Sequence, residues 1–471
     1  MNNSKLLEVI SGFNGDSWES FGYHLNGPNC SFNQKLPAFY EALDPYYDEK
    51  FSSLIASREK CDKLMRSLGV PERQQVYLIA DMWTACRQFL VCHYSVTDPV
   101  SENFVLGKVL SRVPDSKAYR SFFNELKRNR NKQGDSTFYL NQFLSEQTHL
   151  ENVVSKAGRG DINNIEQVNK YLDLFFISKK LQIMCEMFNL RNILKSGNDD
   201  AGSEEVIKVV ESGRYSDEPC VTIYYNIYKT LTDSDNETHF HDLRKLLGDH
   251  GDMFSRSELR DLYQYLMNYC IKKINTGKKD WVKVLFAIYK EILENKVIYL
   301  NDSLSPWDFK NIVVIGLRSG EPDWVFDFIE SKHKEIDAAE RENAYTYNKG
   351  YYYYYTGDYH QAIKLMSKTE FTDLYYQLDY RTTLLKCYYE LGDVDGLLYF
   401  LPSFRMFLRR NRSISDYQRT IYNNLVKYTG KLVRYDGDTK KLEALNSEVD
   451  TIQQVADLNW LKEKLTTAIA P

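Results

Sequence analysis

The second half of the chain carries a period. Four glycine-centred turns, Gly277-Lys-Lys-Asp-Trp281, Gly320-Glu-Pro-Asp-Trp324, Gly357-Asp-Tyr-His-Gln-Ala362 and Gly392-Asp-Val-Asp-Gly396, each separate two segments whose apolar residues recur at helical spacing. Their glycines fall 43, 37 and 35 residues apart. An interval of this size means helix–turn–helix units, each too thin to bury its apolar face alone, stacked on one another. Glycine suits such turns because it enters the left-handed backbone conformation that a helix exit often requires.

The rest of the chain is helical in pattern too. Alternating β-branched runs do not occur in series, and only 11 prolines interrupt 471 residues, so long helices meet few enforced breaks. Residues 164–196 read as the clearest single helix. Val168, Leu172, Phe175 and Phe176, then Ile183, Met187, Leu190 and Leu194, recur at steps of three and four and predict one buried face. Ser203 and Ser257, each followed by acidic residues, are expected N-caps. The fold class expected is all-α: an α-solenoid of antiparallel helical hairpins with a small helical N-terminal region. Residues 1–70 would form that N-terminal cap, 71–200 irregular hairpins, and 201–471 the repeat array. The polar stretch 198–203 would be a hinge, and a final helix over 440–470 would cap the array.

Composition removes several classes. Lys+Arg number 60 against Asp+Glu 65, a net charge of −5, which argues against a chain built mainly to hold nucleic acid or an anionic membrane. Mean hydropathy is −0.50, and no apolar run approaches the roughly 20 residues of a membrane span. The only apolar stretch at the N-terminus contains Glu8 and is too short for a signal-peptide core, so a cytoplasmic location is expected. Eight scattered cysteines without a CxxC read as reduced thiols, not a disulfide or zinc framework.

Two of the repeating units resemble tetratricopeptide repeats. One supplies Gly350 as the small residue of its first helix, Tyr353 as the aromatic three further on, the Gly357-Asp358-Tyr359 turn, and Ala362 in its second helix. The other keeps Leu384, Tyr388 and Gly392-Asp393, but has Leu385 and Leu397 where small residues belong. The units upstream keep only the turn glycine. More diffusely, the opening pattern from Trp18 through Pro28 and Phe32 to Leu43, with a second block from Tyr171 to Glu186, is similar to an uncharacterised family of helical proteins from Bacteroidota. That likeness implies a helical-repeat fold and no particular activity.

The tetratricopeptide resemblance implies a concave groove lined by set positions of each first helix. In the unit beginning at Asn343 these are Ala344, Tyr347, Tyr351, Tyr354 and Tyr355. The next unit contributes Asp379, Thr382, Lys386, Tyr389 and Glu390, and the preceding one Trp307, Lys310, Val314, Leu317 and Arg318. Tyr347, Tyr351 and Tyr355 step by four and share one helix face. A phenol ring with a polar tip grips a peptide at little entropic cost, although tyrosine also serves as interhelical packing. With 36 tyrosines, and five in a row at 351–355 that cannot all point inward, the groove is the favoured reading. The expected function is therefore a non-catalytic scaffold without cofactor. It would hold a protein or peptide through Tyr347, Tyr351, Tyr354, Tyr355 and Tyr389, with Lys310, Arg318 and Lys386 supplying charge.

Two other chemistries compete. His239-Phe-His241-Asp242 resembles the His-Asp doublet of metal-dependent HD phosphohydrolases, where imidazole and carboxylate ligands hold a metal that activates water. The distant partner ligands of that family have no evident counterpart. The clusters Lys127–Lys132 and Arg405–Arg412 could hold phosphate, nucleic acid or an acidic peptide, but short basic clusters usually are solvated helix ends. Phosphate-binding and nucleophile loops of the common kinds are absent from the sequence.

Overall fold

A computed structural model describes residues 5–470 apart from 31, 98, 112–116, 129–133, 157–163, 195–201, 301, 368–372 and 453. The described residues are almost entirely helical; the only β feature among them is an isolated bridge between Leu300 and Ser303. Among the described residues no helix is long and apolar enough to cross a membrane. All eight cysteines are free thiols, seven of them buried. The chain divides into two compact units, residues 1–180 and 181–471. Of the hinge expected at 198–203, residues 198–201 lie outside the described residues.

The first unit opens with α1 (Lys5–Ile10), α2 (Gly15–Leu25), α3 (Leu36–Leu43), α4 (Ser52–Ala56), α5 (Arg58–Ser67) and α6 (Glu72–Thr97). Trp18 organises these helices. Its indole stacks on Tyr40 at 4.4 Å and Tyr47 at 5.4 Å, and its N–H donates to Asp44 Oδ1 at 2.8 Å. Leu78, Met82, Ala85, Cys86 and Phe89, one face of α6, complete the same core. The region before residue 70 therefore shares its core with the helix after it. α7 (Pro99–Ser111), α8 (Lys117–Arg128) and α9 (Ser136–Lys156) follow.

α10 (Ile165–Leu194) is the long helix expected; of its expected inner face Val168 is buried, but most of the buried residues lie on another face. Leu174, Ile177, Leu181, Met184 and Cys185 are at most 5% exposed, whereas Leu172, Phe176, Ile183 and Leu190 are 40–56% exposed. Apolar residues occur all round this helix, so two overlapping periods of 3.6 coexist. Only the neighbouring helices choose between them.

The second unit continues with α11 (Ser203–Glu211), α12 (Pro219–Thr232), α13 (Thr238–His250), α14 (Arg256–Asn275), α15 (Trp281–Glu294), α16 (Pro306–Arg318) and α17 (Pro322–Lys332). After these come α18 (Arg341–Thr356), α19 (Tyr359–Met366), α20 (Leu374–Glu390), α21 (Val394–Arg410), α22 (Asp416–Arg434), α23 (Thr439–Ile452) and α24 (Leu458–Ile469). From α11 onward each helix packs on the next, and α12–α14, α16–α18, α18–α20 and α22–α24 also touch. The four turn glycines have φ of 94°, 85°, 87° and 68°, the left-handed region their role requires.

Three local expectations change. Gly202, with φ of 89°, precedes α11, so Ser203 is its first residue and not its cap. Ser255, two residues before the expected Ser257, caps α14 by accepting from Glu258 N at 3.2 Å. The single terminal helix is two, α23 and α24, the second starting afresh at Leu458 after Asp457, which takes φ of 49°. Without that break Leu461 and Leu465 could not turn back into the core that holds Leu442 and Leu445.

Candidate functional site

The tyrosines of α18 radiate round the helix. Tyr347 is 1% exposed, set edge-on against Tyr376 of α20 at 5.1 Å and stacked with Tyr351 at 6.3 Å. Tyr352 meets Phe326 of α17 at 5.3 Å, and Tyr354 meets Tyr359 of α19 at 6.1 Å. Tyr351 and Tyr354 are partly buried, and Tyr355 is 46% exposed. The stripe of Tyr347, Tyr351 and Tyr355 thus runs from core to solvent within two turns. Tyr347 is corrected from a groove residue to a packing residue: α16 and α20 close over it.

Burial raises the phenol pKa values of Tyr347 and Tyr351. Tyr347 stands well above the usual range, by desolvation first and then by the Asp379 carboxylate. Tyr351 is pushed up to about 12 by burial and by Asp457, with the Arg318 guanidinium pulling the other way. These hydroxyls are neutral hydrogen-bonding groups at physiological pH.

Two of the three expected cations are already engaged. Lys310 of α16 pairs with Asp379 of α20, and its ammonium lies 5.3, 5.5 and 5.0 Å from the rings of Trp307, Tyr347 and Tyr376. Lys386 of α20 pairs with Asp457 at the start of α24, 5.9 Å from the Tyr354 ring and 5.7 Å from Trp460. Their side chains are only 12% and 13% exposed. Both are internal struts, which corrects their assignment as charges offered to a ligand. Arg318 differs. It is exposed in the last turn of α16 and makes no ion pair among the described residues.

These pairs belong to a longer ladder. Tyr224 of α12 donates to Glu258 of α14 at 2.7 Å, and Arg260 of α14 reaches Asp308 of α16 at 3.2 Å. Lys310–Asp379 then joins α16 to α20, and Lys386–Asp457 joins α20 to α24. An ion pair of this kind adds little net stability, because desolvating both charges offsets most of their attraction.

Tyr389 is partly covered by α24. Its ring meets Trp460 of α24 edge-on at 5.4 Å. The adjacent Glu390 accepts from Trp460 Nε1 at 3.0 Å and pairs with Lys464 at 2.9 Å. Reading 440–470 as one helix hid Asp457, Trp460 and Lys464. A signal was present in Ala456-Asp457-Leu458, where an acid precedes a fresh apolar period.

Clefts open among the described residues of the second unit. One of 610 Å³ sets Lys290, Lys296 and Lys332 against Glu294, Asp302 and Glu335 around Trp324. Another of 430 Å³ lies beside Tyr389 and Leu397, and a third of 260 Å³ holds Glu186, Glu258 and Asp261 with Tyr265. His239, His241 and Asp242 occupy the first turn and a half of α13. His241 and Asp242 are exposed, and His239 hydrogen-bonds Asn236 at 3.3 Å. Among the described residues no group of three or more His, Cys, Asp or Glu side chains is arranged to hold a metal ion. Lys127–Lys132 lies largely outside the described residues, whereas Arg405, Arg409, Arg410 and Arg412 are all exposed. Compared with protein-family models, curated proteins and solved structures, the chain matched none of the three.

Proposed function

We propose that this chain is a non-catalytic scaffold, an α-solenoid of antiparallel hairpins of tetratricopeptide type, that holds a segment of a partner protein. The observation carrying this reading is the grading of the α18 tyrosines from sealed Tyr347 to half-exposed Tyr355, beside exposed Arg318. A ring anchored at one end of a rigid helix and open at the other presents a contact surface already ordered before binding. The recognition surface is accordingly smaller than the full groove. Tyr351, Tyr354, Tyr355 and Arg318 would touch the partner, while Tyr347, Lys310, Lys386 and Tyr389 would hold those residues in place. Tyrosine and arginine are the residues that most often carry binding energy at protein interfaces.

The test is affinity capture from the native cell with the full chain and with a Tyr355→Ala/Arg318→Ala variant. The variant should lose the captured partner while its melting temperature stays within a degree or two. Capture that survives both substitutions would overturn the reading, as would a large loss of stability from them.

A further inference from the structure

The charge of the chain is not evenly spread. Residues 394–434, the α21–α22 hairpin, carry eight Lys and Arg against two acids, Asp395 and Asp416, in a chain whose net charge is −5. Three of those cations are used internally. Lys427 and Lys431 pair with Glu448 of α23, and the Arg419 guanidinium donates to the carbonyls of Leu408, Asn411 and Ile414. Arg405, Arg409, Arg410, Arg412 and Arg434 remain exposed.

The first four lie beside aromatic and apolar surface. On α21, Tyr399, Ser403, Met406 and Arg410 follow one another at steps of four, three and four, on the face opposite buried Leu397, Leu401, Phe404 and Leu408. Tyr399 is 87% exposed and Met406 43%, and Tyr417 in the first turn of α22 is 65% exposed. A solvated helix end explains Arg409 and Arg410, whose charge suits the carboxyl end of α21. It does not explain Arg405 and Arg412, nor three large uncovered side chains among them.

The intervening turn is rigid. Besides the three carbonyls that Arg419 clamps, Ser415 caps α22 in a reciprocal pair with Gln418, at 3.2 and 3.3 Å. Asn411 Oδ1 accepts from Ser413 N at 3.1 Å, and Ile414 anchors the turn at 3% exposure. The arginines therefore project from a fixed frame, which lowers the ordering penalty of binding.

We infer that the α21–α22 hairpin is a second docking surface, for an acidic segment of a partner protein. Its occupant would set carboxylates on Arg405, Arg409, Arg410 and Arg412 and apolar side chains on Tyr399, Met406 and Tyr417. Guanidinium groups take carboxylates with paired hydrogen bonds. Charge complementarity selects an acidic partner. The size of the cluster selects a peptide over a nucleic acid: Arg405 to Arg410 span only about 8 Å of helix rise, with Arg412 in the turn just beyond, too little to track a run of phosphates. This inference is independent of the α18 surface.

The test is fluorescence anisotropy on the full-length protein, with a labelled Glu/Asp-rich peptide carrying two leucines and, in parallel, a labelled single-stranded RNA of equal charge. The peptide should bind saturably and more tightly as salt falls. An Arg409→Ala/Arg410→Ala/Arg412→Ala variant with an unchanged melting curve should weaken it at least about tenfold. Tyr399→Ser should weaken it less, and Tyr355→Ala/Arg318→Ala not at all. RNA bound as tightly as the peptide, with the same loss in the arginine variant, would overturn the inference in favour of a nucleic-acid surface. Salt-sensitive self-association abolished by the arginine substitutions would overturn it in favour of a second copy, and no saturable binding of either probe would remove it.

Discussion

The ammonium of Lys310 pairs with the carboxylate of Asp379, 69 residues further along the chain, inside a cage formed by Trp307, Tyr347 and Tyr376. The pair fastens α16 to α20 across α18. Its cage resembles the aromatic surroundings by which proteins hold ligand cations, but here an internal lysine occupies it.

Removing Lys310 leaves Asp379 partly buried and unpaired and empties the cage. Lys310→Ala should lower unfolding free energy by about 2 kcal/mol, below the usual range for a fully buried pair because Asp379 keeps contact with water. Lys310→Met, which refills the cage, should cost less than Lys310→Ala. Urea titrations of both variants check the order. Equal losses would mean that the charge, not the packing, dominates.

Tyr347 and Tyr355, eight residues apart on α18, should respond in opposite ways. Tyr347→Ala opens a cavity among Tyr376, Met366 and Leu384 and should destabilise by about 3–5 kcal/mol. Tyr355→Ala should change stability by no more than about 0.5 kcal/mol. Thermal melts of the two single variants decide it.

Gly316 of α16 sits where two helices come close. A Cβ there would lie 2.5 Å from Val325 Cγ2 and 3.0 Å from Phe286 Cε2. Gly316→Ala should therefore destabilise by about 1–3 kcal/mol. Combining it with Val325→Ala should recover part of that loss, a coupling measurable in a double-mutant cycle.

Acid should loosen the end of the second unit. Hydrogen bonds from Lys431 first, with Lys427 and Tyr428, hold Glu448 down at about 2 from an ordinary 4.5. A carboxylate depressed in the folded state adds stability above its unfolded value and loses it as pH falls from about 4.5 toward 2. Glu448→Gln should flatten the decline of the urea midpoint across that window. An unchanged pH profile would assign the decline to other carboxylates.

Local chemistry was legible without coordinates. The turn glycines 277, 320, 357 and 392, the helical character of nearly every segment, and the bounds of α10 all rest on backbone preferences and periodicity that neighbouring residues along the chain express by themselves. Which face of a helix is buried is a different kind of fact. On α10 and α18 apolar or aromatic residues surround the axis, and the choice between Leu172 and Leu174, or between Tyr347 and Tyr355, depends on what packs alongside. The fate of a cation likewise depends on residues far away in sequence: Lys310, Lys386 and Arg318 look alike in the chain, and only the arrival of α20 and α24 gives the first two a carboxylate and leaves the third to solvent. Sequence alone determined the elements and their punctuation; tertiary structure decided which side chains were used up in holding them together, because burial and pairing belong to contacts between segments and not to any one of them.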